Sequence, residues 1–261
     1  MTNSPRPLAR RYLLGQLIKR DVLLRYRGAM FGVVWILLNP LIMLAIYAYV
    51  FGHIFQARWP QQQDGTPVWL VLYSGLIAFN VFADTVSRAP IAVRSYPNFV
   101  KKIIFPVGIL PVVPLGSALV HAAFNFAILL LALAWTHRLS AEAFLYPIVL
   151  LPVLLGALGA SWFVAAWGVF IKDMTQIVPP FLQMLMFVSP VLYPAAAAPA
   201  VLRPIYKYNP LGMVVEACRS AALGSPVDWQ AWGAALLCGT AIAALGWWFF
   251  RRSRDEFADA L

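Results

Sequence analysis

Apolar residues in this chain come in long runs separated by short polar, basic or proline-rich joints. Crossing a bilayer's hydrocarbon takes about 20 apolar residues at a rise of about 1.5 Å each. Met30 to Gly52 meets that length, and so do Val68 to about Val86 and Leu115 to Trp135. Phe144 to Phe170 is long enough to tilt, Asp173 to Tyr193 carries Pro179 and Pro180 in or near its first turn, and Ala231 to Phe250 closes the series. The pattern predicts six membrane-spanning helices and no strands.

The segments between the runs are patterned too. Ahead of the first run, Leu13, Leu14, Leu17, Ile18 and Leu24 share one helical face, while Gly15, Gln16, Lys19, Arg20 and Arg27 face away. This predicts an amphipathic helix lying in the membrane interface. Asp21 intrudes on the apolar face with Arg25 four residues on, a spacing that permits an intrahelical pair. Gly28 and Gly32 allow the sharp turn from lying flat to crossing. Between the second and third runs, Pro90, Pro97, Pro106, Pro111 and Pro114 predict a stiff elbow of short helical pieces. Asp84 and Arg88, also four apart, are expected to pair with each other. After the fifth run, Asn209-Pro210 reads as N-cap and first helical position and Gly224 as the stop of a helix too short to span. A helix of that kind is expected to be re-entrant or to line a mouth. Its Glu216 and Arg219 are either an external gate contact or a structural brace.

Composition leaves no soluble alternative. Hydrophobic residues make up 62% and charged residues 11%, too little charge to coat a water-exposed surface. The formal charge of +10 would suggest nucleic acid in a soluble protein. Here the basic residues cluster outside the apolar runs, which points to membrane orientation and an anionic leaflet. Of 20 Lys and Arg, 15 fall on the side holding residues 1–29, the elbow, Lys172 and Arg251 to Arg254. With an even number of spans, that bias places both termini in the cytoplasm. No cleavable signal peptide is expected. Cys218 and Cys238 read as two unrelated small hydrophobes.

Candidate chemistry is sparse. There is no phosphate-binding G-x-x-x-x-G-K-[ST] loop, no H-E-x-x-H, no clustered Cys/His and no G-x-S-x-G. Of the scattered histidines only His121 falls inside a run, where a packed, hydrogen-bonded role is expected. Asp84, Glu142 and Asp173 all fall at span ends, so no buried carboxylate offers an ion-coupling centre. The chain is therefore expected not to be an enzyme on its own. Trp59, Trp69, Trp135, Trp229 and Trp232 suit the membrane surfaces, while Tyr47, Tyr49, Tyr73 and Phe82 suit an interior path that offers flat apolar contact to sugar rings.

Five ordered strings carry a resemblance. K-R-D-V-L-L-R-Y-R-G-A-M-F-G-V-V-W-I-L-L-N-P-L (Lys19 to Leu41) resembles the opening of permease subunits of polysaccharide-exporting ABC transporters of the ABC-2 class. That family moves capsule, O-antigen or teichoic-acid chains. The likeness continues through N-F-V-K-K-I-I-F-P-V-G-I-L-P (Asn98 to Pro111), Ile171 to Gln183, Phe187 to Pro194 and Y-N-P-L-G-M-V-V-E-A-C-R (Tyr208 to Arg219). It implies an all-α integral membrane domain over residues 1–261. Its parts are a cytoplasmic interface helix (1–29), spans one to five (30–193), an external re-entrant cap (194–230), span six (231–250) and a cytoplasmic tail (251–261).

The resemblance further implies a bacterial inner-membrane homodimer with two copies of a separate ATPase, which would hold ATP and Mg; this chain itself would bind no cofactor and no metal. ATPase coupling would fall to Arg20, Asp21, Arg25, Arg27, Arg94, Lys101, Lys102, Lys172 and Asp173. The polymer path would involve Arg88 with the aromatics above, Arg88, Arg94, Lys101 and Lys102 attracting the pyrophosphate of a lipid carrier. Lipid-linked polysaccharide, membrane lipids and envelope-spanning export proteins are the remaining expected partners. The competing readings are an ABC-2 type exporter of small amphiphiles, a polytopic membrane enzyme acting on lipid-linked sugars, and a secondary carrier.

Overall fold

The structure is a computed structural model that describes residues 7–50, 65–100, 105–194 and 203–260. Among the described residues it is entirely helical. Helix α1 (Pro7–Arg25) leads into α2 (Trp35–Tyr49), then α3 (Val68–Ala92), the single turn α4 (Pro97–Val100) and α5 (Val112–Trp135). Next come the short α6 (Tyr146–Val149), α7 (Leu151–Phe170), α8 (Met174–Val188), α9 (Arg203–Tyr208), α10 (Pro210–Leu223), α11 (Trp229–Ser253) and α12 (Phe257–Ala260).

Among the described residues, five helical stretches are long and apolar enough to cross a bilayer: Gly32–Tyr49, Val68–Ala92, Val107–Trp135, Ala141–Phe170 and Trp229–Glu256. The predicted fifth span differs. Helix α8 has 15 residues, about 22 Å of helix, because Ser189 turns to extended backbone (φ −93°, ψ 139°). Pro179 and Pro180 lie inside α8, beyond its first turn. The second predicted span runs further than expected, to Ala92, with Pro90 inside the helix rather than at its break. Tertiary packing explains this. Gly168 of α7 sits so close to Pro90 that a Cβ there would lie 2.3 Å from the Pro90 carbonyl oxygen. Two helices in contact hold the proline in place.

Lipid tails are as apolar as leucine, so helix association in a membrane rests on close packing through small residues. Helices α7 and α11 form the most extensive pairing in the fold. A Cβ on Gly246 would fall 2.1 Å from the Gly159 carbonyl oxygen, and one on Gly239 would fall 2.6 Å from that of Pro152. Gly246→Leu is therefore expected to force the helices apart and lower stability by about 1–3 kcal/mol or more. Gly233 on the same helix has open space around its would-be Cβ, so Gly233→Ala should be silent. Thermal unfolding of the two purified variants in detergent separates these outcomes; equal midpoints would remove the close-packing argument.

Helix α3 is the centre of the bundle, buried nearly continuously from Leu70 to Phe79. Across it, the Tyr146 hydroxyl donates to the Ser74 carbonyl at 2.5 Å. Helix α1 packs through Leu13, Leu14, Leu17 and Ile18 against a cluster that includes Ala89, Val93 and Val113. Ile18 seats on Gly116 of α5, where a Cβ would meet its Cδ1 at 2.2 Å. Leu24, expected on that face, is exposed, since the helix ends one residue later. The turn to α2 uses the two expected glycines, Gly28 at φ 88° and Gly32 at φ 49°. The expected short helix is also as read: Asn209 accepts from the Leu211 and Gly212 amides, Pro210 opens α10, and Gly224 closes it at φ 71°.

Candidate functional site

Where α1 meets the bundle, four charged residues form two ion pairs between helices. Arg25 pairs with Asp84, and Asp21 pairs with Arg88 while also accepting from the Ser117 hydroxyl. The intrahelical pairs expected from four-residue spacing, Asp21 with Arg25 and Asp84 with Arg88, do not form. Each residue reaches instead across to the other helix, because α1 lies against α3 and α5 and an interhelical partner in a partly desolvated seam binds better than an exposed neighbour. The seam also explains Asp21 on an otherwise apolar face: that face is where Arg88 and Ser117 await it. Burial works to lower the Arg25 pKa, but the adjacent Asp84 carboxylate outweighs it and holds the guanidinium above its ordinary value. Beside the pairs, Tyr26 contacts His121 of α5, hydroxyl to Nδ1 at 3.3 Å, with the rings edge to face. His121 is thus packed as expected, though its Nε2 has no hydrogen-bond partner among the described residues.

From this seam a cleft of about 480 Å³ opens between α2, α3, α5 and α8. Tyr47 and Tyr73, two of the residues expected on a path, line it together with Trp35 and four amides, Asn39, Asn80, Asn125 and Gln183. The Tyr73 hydroxyl donates to Asn125 Oδ1 at 2.9 Å, and Asn125 Nδ2 donates to the His121 carbonyl at 2.7 Å. The amides were not singled out from sequence, although a signal existed. Each is a lone amide in an apolar run (L-L-N-P-L, A-F-N-V-F, A-F-N-F-A, F-L-Q-M-L), and a polar side chain at membrane depth faces an interior or an aqueous path. Two predicted path residues lie elsewhere. Tyr49 is exposed outside the cleft, and Phe82 lines a separate apolar cavity of about 200 Å³ with Pro152, Gly156 and Gly239.

The remaining predicted residues scatter around α1 and the joints. Arg20 lies over the Tyr96 ring, 5.6 Å from its centre, linking α1 to the segment after α3. A groove of about 500 Å³ along α1 is bordered by Lys19, Arg20, Leu23, Leu24 and Arg27. Arg94 is half-buried just past α3, and Lys172 and Asp173 are exposed in the turn before α8. Lys101 and Lys102 lie outside the described residues, as does the alanine run 195–198.

Among the described residues, Arg219 is the largest side chain that is completely buried. It pairs with Glu216, while its Nε donates to the Val71 carbonyl at 3.0 Å and its Nη2 to that of Val191 at 3.2 Å. Gly75 of α3 leaves the room: a Cβ there would meet Nη2 at 2.8 Å. These contacts fasten α10 to α3 and to the segment after α8.

Comparison with known proteins places these features. Residues 12–223 match the family described as ABC-2 type transporter. The O-antigen export system permease protein RfbA of Klebsiella pneumoniae is 21% identical over 251 residues, 95% of each chain. That of Myxococcus xanthus is 27% identical over 185 residues, 70% of this chain and 69% of its own. The polysialic acid transport protein KpsM of Escherichia coli is 25% identical over 211 residues, 79% of this chain and 80% of its own. Together with the five long apolar helices, this makes the chain an integral membrane protein.

Proposed function

The chain belongs to the ABC-2 type transporter family, and we propose that within it this protein is the permease subunit of an ATP-driven exporter of lipid-linked surface polysaccharide, capsule or O-antigen. The observation that carries the reading is likeness along 95% of both chains to an O-antigen export permease. The tyrosine- and amide-lined cleft supports it, since rings offer sugars flat apolar faces and amides both donate to and accept from hydroxyls.

In this reading two copies enclose the path in the bacterial inner membrane, with both termini in the cytoplasm. A separate ATPase, holding ATP and Mg, docks on the groove along α1 and on the turn at Lys172 and Asp173. Its closure pushes on α1, and the two ion pairs at Asp21 and Arg25 pass the displacement to α3 and α5. Arg94, Lys101 and Lys102 attract the pyrophosphate of the lipid carrier. Arg88 belongs to the tether, through Asp21.

The test is co-purification of the tagged chain from its native host in mild detergent. An ATPase recovered at about one copy per permease is expected; the chain alone, even after crosslinking in the membrane, would refute the reading. Arg94→Glu is expected to lower surface polysaccharide while leaving the amount of permease in the membrane unchanged. Normal polysaccharide in that variant would remove Arg94 from the mechanism.

A further inference from the structure

The cleft between α2, α3 and α8 has a chemistry narrower than general suitability for sugars. Asn39 on α2, Asn80 on α3 and Gln183 on α8 are all exposed on apolar helices, and none makes a hydrogen bond among the described residues. They come from three helices and 144 residues of sequence, yet line one cavity. Isolated amides facing lipid would be costly, so their convergence marks a polar path. Among the described residues the charged side chains lining this cavity are Arg25 and Asp84, which pair with each other, and the His121 ring stands beside them. The described wall thus presents chiefly amide donors and acceptors and aromatic faces, with the one carboxylate matched by the one guanidinium.

We propose that this cleft is a selectivity site for uncharged glycan units and disfavours acidic ones. The inference rests on the polysaccharide reading above and deepens it. An uncharged sugar offers hydroxyls that both donate and accept, which an amide matches with its own oxygen and nitrogen. Its carbon–hydrogen face lies on Tyr47 or Trp35. An acidic sugar brings a carboxylate that loses water on entering, and the Arg25 guanidinium at the wall is already held by Asp84. Any counter-charge would have to be taken from that pair. The cavity, about 480 Å³, is of the size of ordinary small-molecule sites.

Saturation-transfer NMR on the full chain in lipid nanodiscs tests this with two probes, a mannose tetrasaccharide and a sialic acid tetramer. Signal from the neutral probe alone, competed by excess unlabelled mannan, is expected. Asn80→Ala and Gln183→Ala, both at exposed positions, should each weaken the neutral probe by about tenfold, the equivalent of one hydrogen bond. Asn80→Lys should create a response to the sialic acid tetramer. Equal or stronger response of the unmodified chain to the acidic probe would overturn the selectivity and leave polysaccharide export standing. No response to either probe would overturn the cleft as a glycan site, while the export reading is judged separately by surface polysaccharide. Asn80→Lys that gains nothing would remove the electrostatic basis of the proposal, and alanine variants that bind the neutral probe undiminished would remove the amides from the site.

Discussion

Replacing Arg219 with methionine is expected to cost about 2–5 kcal/mol of stability, enough to cut the amount of folded permease severely. Methionine keeps the length and apolar stem but offers no donor. The Val191 carbonyl then loses its donor in a site with no exposure to solvent, while the Val71 carbonyl keeps the Ser74 hydroxyl. An unsatisfied buried carbonyl costs about 1–3 kcal/mol, and the lost charged hydrogen bond to Val71 and the empty volume around the missing guanidinium add to that. Arg219→Lys should recover only part of the loss, because an ammonium on a flexible stem cannot reach two carbonyls and a carboxylate in a fixed fork. Glu216→Gln should cost less than Arg219→Met, since the glutamine oxygen still accepts from the Arg219 guanidinium and only the counter-charge is lost. Thermal unfolding in detergent and membrane protein levels measure all three. If Arg219→Met unfolds at the unmodified temperature while Glu216→Gln abolishes export, the pair is a gate after all, and α10 is held by other contacts.

The second large effect is expected at the seam between α1 and α3, on export more than on stability. Arg25→Asp places two carboxylates together and should detach the end of α1, lowering surface polysaccharide at least about tenfold if each charged hydrogen bond is worth about 1.5–3 kcal/mol. Asp84→Arg should do the same with two cations. The double variant Arg25→Asp with Asp84→Arg restores the pair in reversed order and should recover most of the export. Asp84 is the sharper probe of the two ion pairs because its Oδ1 serves Arg25, whereas Asp21 serves both Arg88 and Ser117. Quantified surface polysaccharide, normalised to permease in the membrane, reads the result. A double variant no better than either single one would show that the residues act separately, and the tether would not transmit motion.

Much of this architecture was legible in the residues because its causes are local. A run of about 20 apolar residues has few places to be other than a bilayer. Asn209-Pro210 and Gly224 bound α10 because the capping oxygen, the fixed proline φ and the left-handed stop all act within one turn. Gly28 and Gly32 mark the turn after α1 because only glycine enters those φ values without strain. The fifth span was over-read for the same reason: hydropathy runs on through Ser189 to Tyr193, but the helix does not, and apolar character says nothing of where backbone leaves the helix.

Partner choice was beyond that reach. Four-residue spacing pointed Asp21 at Arg25 and Asp84 at Arg88, whereas the partners taken stand 59 and 67 residues away. Spacing reveals which neighbours a charge can reach on its own helix, and nothing of which other helix will lie beside it. The same holds for the amides of the cleft, each a lone polar residue in its own run until three helices face one cavity. It holds for Arg219, whose burial depends on a glycine 144 positions earlier leaving room on α3. Sequence by itself determined the membrane, the spans' approximate places, the caps and the hinge, since hydropathy and backbone preference are properties of short segments. The tertiary structure alone decided the ion pairs, the burial of Arg219 and the cleft, since desolvation and charge pairing depend on which surfaces meet.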